Sequence, residues 1–424
     1  MGVRRLLDDC CGAAKRLMPL DEALAVIDRD LVAVTDVEAA PLWAALGRVL
    51  ARDVVSAVDL PPATNSAMDG YALAAADVAG PDGGETVLPV TGRQAAGRPL
   101  EGEARPGAAV RIFTGAPMPA GCDAVVMQEE VTLQADGRVV IPPGVKPGRN
   151  VRRAGEDVAA GAVVLRAGTR LRPQDIAMAA AAGCAGRPVS RPLRVALFST
   201  GDELHEPGTP LPAGGIYDSN RHALRAMLAG LPVTVTDLGR LMDDPAAVRR
   251  ALEAAALDHD VVMTTGGVSV GEEDHVRQAV EAQGAITFWR LNIKPGKPVA
   301  LGRVGETVFL GLPGNPVATA VTFLLVARPI LLRLAGAADI RLRRFQVPAG
   351  FSYVKKEGRR EFIRVRLETR PDGSTLARLD RGQGSHMISS LVDSHALAEL
   401  AEDSPGVTEG ESLTIIPFPD TMAG

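Results

Sequence analysis

The stretch Asp260-Val-Val-Met-Thr-Thr-Gly-Gly-Val-Ser-Val-Gly-Glu-Glu-Asp-His275 decides the fold of the central part of the chain. Its apolar, β-branched beginning, through Thr265, predicts a buried strand of a parallel sheet. Glycines follow, and a helical pattern runs from Asp274 onward. A strand, a glycine turn and a helix start together direct backbone N–H groups at an anion.

Acidic residues crowd the same turn, where Glu272 and Glu273 precede Asp274. Because carboxylates repel a phosphate, a divalent cation between the two is the natural mediator. The alternative interpretation is an ordinary connection in which Asp274 caps the helix N-terminus.

The flanking sequence alternates strand and helix patterns, which predicts a central doubly wound α/β domain over residues 191–340. We expect Ser219 or Asn220 to cap one of its helices, and Asp244, followed by Pro245, to cap the next. The predicted strands cover 193–199, 233–238, 261–265, 286–291, 299–303 and 307–311, and the predicted helices cover 219–228, 246–257, 274–283 and 316–334.

Three acids, Glu203, Asp243 and Asp274, follow three successive strands of this domain. The carboxyl ends of parallel strands meet at one edge of a sheet, which is where open α/β sheets bind ligands. Capping explains any one of these acids, but their convergence predicts a functional site.

Cations and a second anion-binding turn follow the later strands. Lys294 and Lys297 lie in a stiff, proline-rich turn. Further on, Gly314 and Asn315 precede Pro316, the expected first residue of a long helix, whose N-terminus is again an anion site.

Before the central domain, residues 18–55 and 160–190 predict one discontinuous helical domain, with a short helix expected over 42–49. Residues 56–159 predict an inserted β-rich domain with polar side chains, Asp69, Thr114 and Asp157, at its turns. The alternative for Asp69, which precedes a glycine, is a plain hairpin turn.

Residues 341–424 predict a small β barrel or sandwich with a helical piece near 387–400. Arg359, Arg360 and Arg364 form a basic patch or a solvated edge strand. The segment 382–386 is interpreted either as a phosphate loop or as a turn.

The composition narrows the function classes. The net charge of −5 excludes a general nucleic-acid or membrane-surface binder. The four cysteines have no metal-ligand spacing and indicate reduced thiols of a cytoplasmic protein. No stretch is predicted to span a membrane. Residues 1–17 are interpreted as a leader without signal-peptide character.

The ordered motifs of this chain resemble those of the MoeA family, the molybdopterin molybdenumtransferases, which also includes the C-terminal part of gephyrin. The resemblance runs from Pro19 to about Pro417. Its motifs are Ser66-Ala-Met-Asp-Gly-Tyr71, Phe113-Thr-Gly115, Gly155-Glu-Asp157, Ser199-Thr-Gly-Asp-Glu-Leu204, Tyr217-Asp-Ser-Asn220, Asp243-Asp-Pro245, Thr265-Gly-Gly-Val-Ser-Val-Gly271, Lys294-Pro-Gly-Lys-Pro298 and Leu312-Pro-Gly-Asn-Pro316.

The resemblance implies an elongated, four-domain homodimer whose central domain is similar to the MogA/MoaB pterin adenylyltransferases. The β insertion of one protomer is then expected to face the central domain of its partner. Asp69, Thr114 and Asp157 would complete the partner's catalytic site. Members of the family insert molybdenum from molybdate into adenylylated molybdopterin and release AMP with the help of Mg²⁺.

On this resemblance, Glu203, Asp243 and Asp274 are the expected Mg²⁺ ligands and catalytic acids. Thr114, Arg364 and Ser385 are the expected donors to molybdate. The expected substrate-binding residues are Gly266, Gly267, Ser269, Gly271, Lys294, Lys297, Pro313, Gly314, Asn315, Arg364 and Ser385.

Two alternatives remain open at this point: a MogA-like molybdopterin adenylyltransferase and a non-catalytic, gephyrin-like scaffold. A MogA-like enzyme is also a possible partner. The chain departs from the family at His275, where an aromatic residue is frequent, and at Arg290, where a lysine is frequent. We therefore carry no lysine-specific role to Arg290.

Overall fold

The computed structural model describes residues 17–97, 103–267, 275–379 and 382–418. Within them the helices are α1 (Leu20–Asp30), α2 (Pro173–Ala181), α3 (Ser219–Leu228), α4 (Pro245–Asp258), α5 (His275–Gln283), α6 (Pro316–Thr322), α7 (Arg328–Leu334) and α8 (Ser389–Val392).

The strands of the N-terminal half are β1 (Val37–Pro41), β2 (Val54–Val55), β3 (Asn65–Ser66), β4 (Gly70–Leu73), β5 (Thr86–Gln94), β6 (Ala109–Ile112), β7 (Ala124–Met127), β8 (Thr132–Leu133), β9 (Arg138–Ile141), β10 (Val151–Arg152), β11 (Val163–Leu165) and β12 (Gly186–Ser190). Those of the C-terminal half are β13 (Leu193–Thr200), β14 (Leu204–His205), β15 (Ile216–Tyr217), β16 (Val233–Leu241), β17 (Val261–Thr265), β18 (Gly284–Arg290), β19 (Ile293–Lys294), β20 (Pro298–Val304), β21 (Thr307–Leu312), β22 (Phe345–Pro348), β23 (Tyr353–Val354), β24 (Arg360–Thr369), β25 (Thr375–Leu379), β26 (Ala396–Leu400), β27 (Gly406–Val407) and β28 (Ser412–Pro417).

The central part is a six-stranded sheet in the order β16-β13-β17-β21-β20-β18. The first four strands are parallel, and β20 runs antiparallel to both of its neighbours, β21 and the edge strand β18. After β13 the chain continues to β16 at one edge of the sheet, and after β17 it continues to β18 at the other edge. The carboxyl ends of β13 and β17 therefore flank a crevice of the kind in which α/β sheets bind ligands.

Alternating strand residues bury both faces of this sheet. Val195 and Leu197 pack with α3 and α6 on one face. Ala196 and Phe198 pack with α4 and α5 on the other. Side chains of successive strand residues point to opposite faces, which explains why the apolar run at 193–198 is nearly continuous.

The predicted long helix extends from Pro316 to Leu334, with a π-helical segment, Phe323–Ala327, between α6 and α7. Among the described residues this stretch has the length and apolar composition of a membrane span, but 89% of it is buried inside the protein. That burial is typical of the core helix of a globular protein.

The inserted β-rich part contains a second six-stranded sheet, β7-β4-β6-β5-β9-β8. On either side of it along the chain, β1 pairs with β12 and β2 pairs with β11. These pairings bring the two segments that flank the insertion together.

Two features of the N-terminal part differ from prediction. Helix α1 buries Leu20, Ala23 and Ile27 in the core of the central α/β part rather than against residues 160–190. The helix expected over 42–49 is only a 3₁₀ turn, Leu42–Ala44. Gly47 adopts a left-handed φ of 75°, which ends any helix there.

The C-terminal strands form a sheet in the order β19-β24-β26-β28-β22, and β25 pairs with the second half of β24 on the same side as β19. Ala349, after β22, bridges to Ala377 of β25, so the sheet curls into a small barrel. Strand β19 comes from the central part and pairs with β24. The helical piece expected near 387–400 is confined to α8, because Ala396–Leu400 pairs in the sheet as β26.

The helix caps follow prediction in part. Asp244 accepts hydrogen bonds from the N–H groups of Ala246 and Ala247, as expected. The cap of α3 is Asp218 rather than Ser219 or Asn220, because its carboxylate accepts the hydrogen bond from the Arg221 N–H. Asn315 lies at the N-cap position of α6 but makes no side-chain capping bond.

Several predictions fall outside the described residues. They concern the leader 1–16 and the turn that contains Ser269, Gly271 and Asp274.

Candidate active site

The connections after β13, β16, β17 and β21 surround one cavity of about 940 Å³ at the carboxyl edge of the central sheet. The turn after β19 and the C-terminal barrel close its other side. The predicted site residues that line it are Glu203, Asp243, Gly266, Gly267, Lys294, Lys297, Pro313, Gly314, Asn315, Arg364 and Ser385.

The glycine turn fits tightly against the end of β13. Gly266 and Gly267 have left-handed φ values of 83° and 63°. A Cβ at Gly266 would lie 2.8 Å from the Thr200 carbonyl oxygen, and one at Gly267 would lie 2.6 Å from Cγ2 of Val276. Only glycine satisfies both the conformation and the space, so the backbone itself forms this wall.

Two of the three predicted metal ligands, Glu203 and Asp243, line the cavity with exposed side chains. No described cation pairs with Glu203. The third predicted ligand, Asp274, lies outside the described residues. The described residues contain no cluster of three or more His, Cys, Asp or Glu side chains that could hold a metal ion. Glu203 and Asp243 nevertheless suit Mg²⁺, which is bound through one or two carboxylates and retains water ligands.

The cation Lys294 is partly neutralised. Its Nζ lies 2.8 Å from Oε1 of Glu361, a buried carboxylate on β24. The Tyr353 hydroxyl donates to the same oxygen at 2.7 Å. Burial and Glu361 raise the pKa of Tyr353 to about 12, so its hydroxyl stays protonated at neutral pH.

Arg364 is almost completely buried, with 1% exposure, in the wall of the cavity. Its guanidinium donates to the Ser390 hydroxyl at 3.0 Å and to the carbonyl oxygens of Gly382 and Gly384 at 3.2 Å. Burial lowers its pKa, but an arginine remains charged at neutral pH. No described carboxylate forms an ion pair with it. An anion in the cavity would supply the missing charge.

The two other arginines of the basic patch differ from Arg364. Arg360 pairs with Asp21, Glu399 and Glu402 and is therefore structural. Arg359 is exposed and lines the cavity. The segment 383–385 also lies in the cavity wall, and the Ser385 carbonyl accepts a hydrogen bond from the N–H of Val317 in α6.

Asp69 and Thr114 contact each other but do not line this cavity. Oδ1 of Asp69 accepts hydrogen bonds from the backbone N–H and the hydroxyl of Thr114, both at 2.7 Å. These bonds, and the charge of Arg111, lower the pKa of Asp69. Asp157 is exposed at another turn, where its N–H donates to Leu60.

Sequence reasoning missed Glu361 and Tyr353 as residues of the site. Glu361 lies in the segment predicted to form the C-terminal β barrel or sandwich, but nothing in the pattern indicated that β19 would pair beside it. The signal available in the sequence was an acid directly before the apolar pair Phe362–Ile363.

Three family models match the chain. The MoeA N-terminal region (domain I and II) covers residues 18–183. A probable molybdopterin binding domain covers 196–333, and the MoeA C-terminal region (domain IV) covers 346–418.

Similar proteins and structures agree with these models. The molybdopterin molybdenumtransferase of Haemophilus influenzae is 40% identical over 95% of this chain and 99% of its own length. The enzyme of the same name from Nostoc is 37% identical over 91% and 89%. The crystal structure of the molybdopterin biosynthesis MoeA protein from Pyrococcus horikoshii has a TM-score of 0.80 and 32% identity, covering 95% of this chain and all of that one.

Proposed function

The chain belongs to the MoeA family, and from that premise we propose that it transfers molybdenum from molybdate to adenylylated molybdopterin, releasing AMP. The observation that carries this proposal is the composition of one cavity wall. A buried arginine, Arg364, which has no ion-pair partner among the described residues, faces the same space as Glu203 and Asp243. Such a site suits an anionic substrate together with a cation.

The phosphate groups of the substrate would bind where backbone and lysine donors meet. Lys297 lines the cavity without a described carboxylate partner. The turn at Gly314–Asn315 lies at the N-terminus of the long core helix, where the helix dipole favours negative charge. Lys294 would contribute less, because Glu361 already neutralises part of its charge.

Glu203 and Asp243, with Asp274, would hold Mg²⁺ against the anhydride. Once bound, the ion would polarise a phosphoryl oxygen and favour attack on the phosphorus by water or a molybdate oxygen. Attack on the pterin-side phosphorus would break its bond to the bridging oxygen, so AMP would leave with that oxygen while the carboxylates hold the ion in place. The two pterin thiols would replace two molybdate oxygens, which would leave as water with the thiol protons and protons from the solvent. The described cysteines, Cys122 and Cys184, do not line the cavity, and the proposal requires no enzyme nucleophile.

Molybdate is a substrate of this reaction, and its oxygens need hydrogen-bond donors. Arg364 and Ser385 are the donors that the C-terminal barrel brings to the cavity. The bonds to Ser390, Gly382 and Gly384 hold the Arg364 guanidinium in place through Nε and Nη2, so the two N–H groups of Nη1 would be the donors to the oxyanion.

The chain would act as a homodimer with a shared site. Asp69, Thr114 and Asp157 lie away from the cavity of their own chain, so a partner's β insertion would have to deliver them. The lowered pKa of Asp69 supports a role as an ionised ligand or proton acceptor rather than as a proton donor.

The direct test supplies adenylylated molybdopterin, Mg²⁺ and molybdate under anaerobic conditions. We expect AMP together with a product that activates an apo molybdoenzyme. AMP release that does not depend on molybdate, without such a product, would contradict the proposal.

The two alternatives are distinguished by supplying ATP and molybdopterin instead and by measuring pterin binding. A MogA-like adenylyltransferase would consume ATP and molybdopterin without molybdate. A scaffold would bind no pterin at all. A MogA-like enzyme, as a partner, would deliver the adenylylated substrate. A coupled assay that starts from ATP and molybdopterin and contains both proteins would detect this delivery.

A further inference from the structure

The first turn of α3 is hydrogen-bonded to two loops of the cavity through Asn220. Its amide nitrogen Nδ2 donates to the Gly314 carbonyl oxygen at 2.7 Å and to the Thr265 hydroxyl at 3.0 Å. Because a carbonyl oxygen only accepts, the group that faces Gly314 must be the amide nitrogen. Asn220 therefore connects the end of β17 with the turn after β21.

Thr265 extends this connection. Its hydroxyl donates to the Pro313 carbonyl oxygen at 3.0 Å, and the same oxygen accepts a hydrogen bond from Thr319 at 2.6 Å. The carbonyl groups of Pro313 and Gly314 are thus held from the side of the core by three side chains.

Fixing these carbonyls also fixes the N–H groups that follow them. In a trans peptide the C=O and the next N–H point in opposite directions. The N–H groups of Gly314 and Asn315 therefore point away from Asn220 and Thr265. Within the described part of the chain, neither N–H has a hydrogen-bond acceptor. Both residues line the cavity.

Capping does not account for Asn220, because Asp218 already caps α3. The amide of Asn220 makes its described bonds outside its own helix. We infer that Asn220 is a positioning residue, which acts through Thr265 and the Gly314 carbonyl to orient two backbone N–H groups toward a phosphate. This inference rests on the proposed function for the identity of the anion.

The test compares Asn220→Ala, Asn220→Asp and Thr265→Val with Thr307→Val. Thr307 is a matched control, because its buried hydroxyl also donates to backbone carbonyls, at 2.9 and 3.0 Å, but at the opposite edge of the sheet. Asn220→Asp keeps the shape of the side chain and removes the donor.

We expect the Kd for AMP to rise about tenfold in Asn220→Ala and Thr265→Val, the effect of losing one or two hydrogen bonds. Asn220→Asp should be at least as weak, and Thr307→Val should bind like the wild type. The KM for adenylylated molybdopterin should rise with the Kd. In the substrate-free protein, amide hydrogen exchange at Val317 and Thr319, whose N–H groups are hydrogen-bonded directly after the turn, should be faster in the three site variants only.

An Asn220→Asp variant that binds AMP like the wild type, or amide exchange at Val317 and Thr319 that is unchanged, would overturn the inference. An AMP affinity that falls equally in Thr307→Val would show that the loss follows from a general loss of stability, and this result would also overturn the inference. A wild-type protein that binds no AMP would instead contradict the proposed function, and the exchange rates alone would then decide whether Asn220 holds the turn.

Discussion

The Lys294 ammonium lies 2.8 Å from the Glu361 carboxylate, and this ion pair joins the central α/β part to the C-terminal barrel across the candidate active site. Strand β19, which ends at Lys294, pairs directly with β24, which contains Glu361. The barrel therefore sets the charge of one wall of the cavity.

Replacing Glu361 with Gln should lower the free energy of unfolding by about 1 kcal/mol, because a buried charge-assisted hydrogen bond to a half-exposed lysine is lost. Urea unfolding measures this change. Glu368→Gln is the control, since Glu368 lies on the same strand and pairs with Arg378 at the surface. Equal stability of the two variants would show that the Lys294–Glu361 pair contributes no more to the free energy of unfolding than a surface ion pair does.

The hydroxyl of Tyr353 should lose its proton at a higher pH than an ordinary tyrosine hydroxyl does. Its pKa of about 12 lies above the ordinary value of 10, because burial and Glu361 disfavour the phenolate. The contribution of the protonated Tyr353 hydroxyl to the free energy of unfolding is therefore complete below pH 10 and is lost as the pH rises toward 12. The difference in tyrosinate absorbance between the wild type and Tyr353→Phe should have its midpoint near pH 12. A midpoint near pH 10 would refute the buried contact.

Arg364→Lys should weaken the binding of molybdate about tenfold or more, although the charge is retained. A lysine cannot keep the bonds to Ser390, Gly382 and Gly384 and still donate to an oxyanion, whereas the arginine retains the two N–H groups of Nη1 for that purpose. Equilibrium binding of molybdate in the presence of adenylylated molybdopterin measures this. Arg378→Lys on the neighbouring strand β25 serves as the control, and equal affinities in the two variants would contradict the role of Arg364.

Mixed dimers test the shared site. Asp69→Asn and Asp274→Asn should each inactivate the protein, and Asp274→Asn should still bind pterin. After equal mixing and subunit exchange, about a quarter of the sites should be intact, because half of the dimers carry one site free of both substitutions. Failure of AMP release to return, despite exchange confirmed by mass spectrometry, would place Asp69 outside the partner's site.

The positions of Glu203, Asp243 and the glycine turn were predictable because parallel strands end at a common edge, so consecutive connections must meet there. Local patterns also predicted Asp244 as a cap. They gave the wrong cap for α3, since Ser219, Asn220 and Asp218 all have side chains that cap helices.

Contacts between distant segments were not predictable in the same way. Glu361 belongs to the site because β19 pairs with β24, and no local pattern encodes that pairing. Likewise, the hydrogen bond from Asn220 to Gly314 joins residues 94 positions apart. Periodicity identifies buried faces, but it does not identify the neighbour across a cavity.

The central claim is that acids from successive strand ends hold a cation beside an anionic substrate. A Mg²⁺ titration of AMP release in the wild type and in Glu203→Gln tests it most directly, with Glu281→Gln on the surface of α5 as the control. We predict that release in the wild type and in Glu281→Gln saturates with Mg²⁺, and that Glu203→Gln requires much more Mg²⁺ or releases no AMP. Release that is independent of Mg²⁺, or an unchanged titration in Glu203→Gln, would contradict the account.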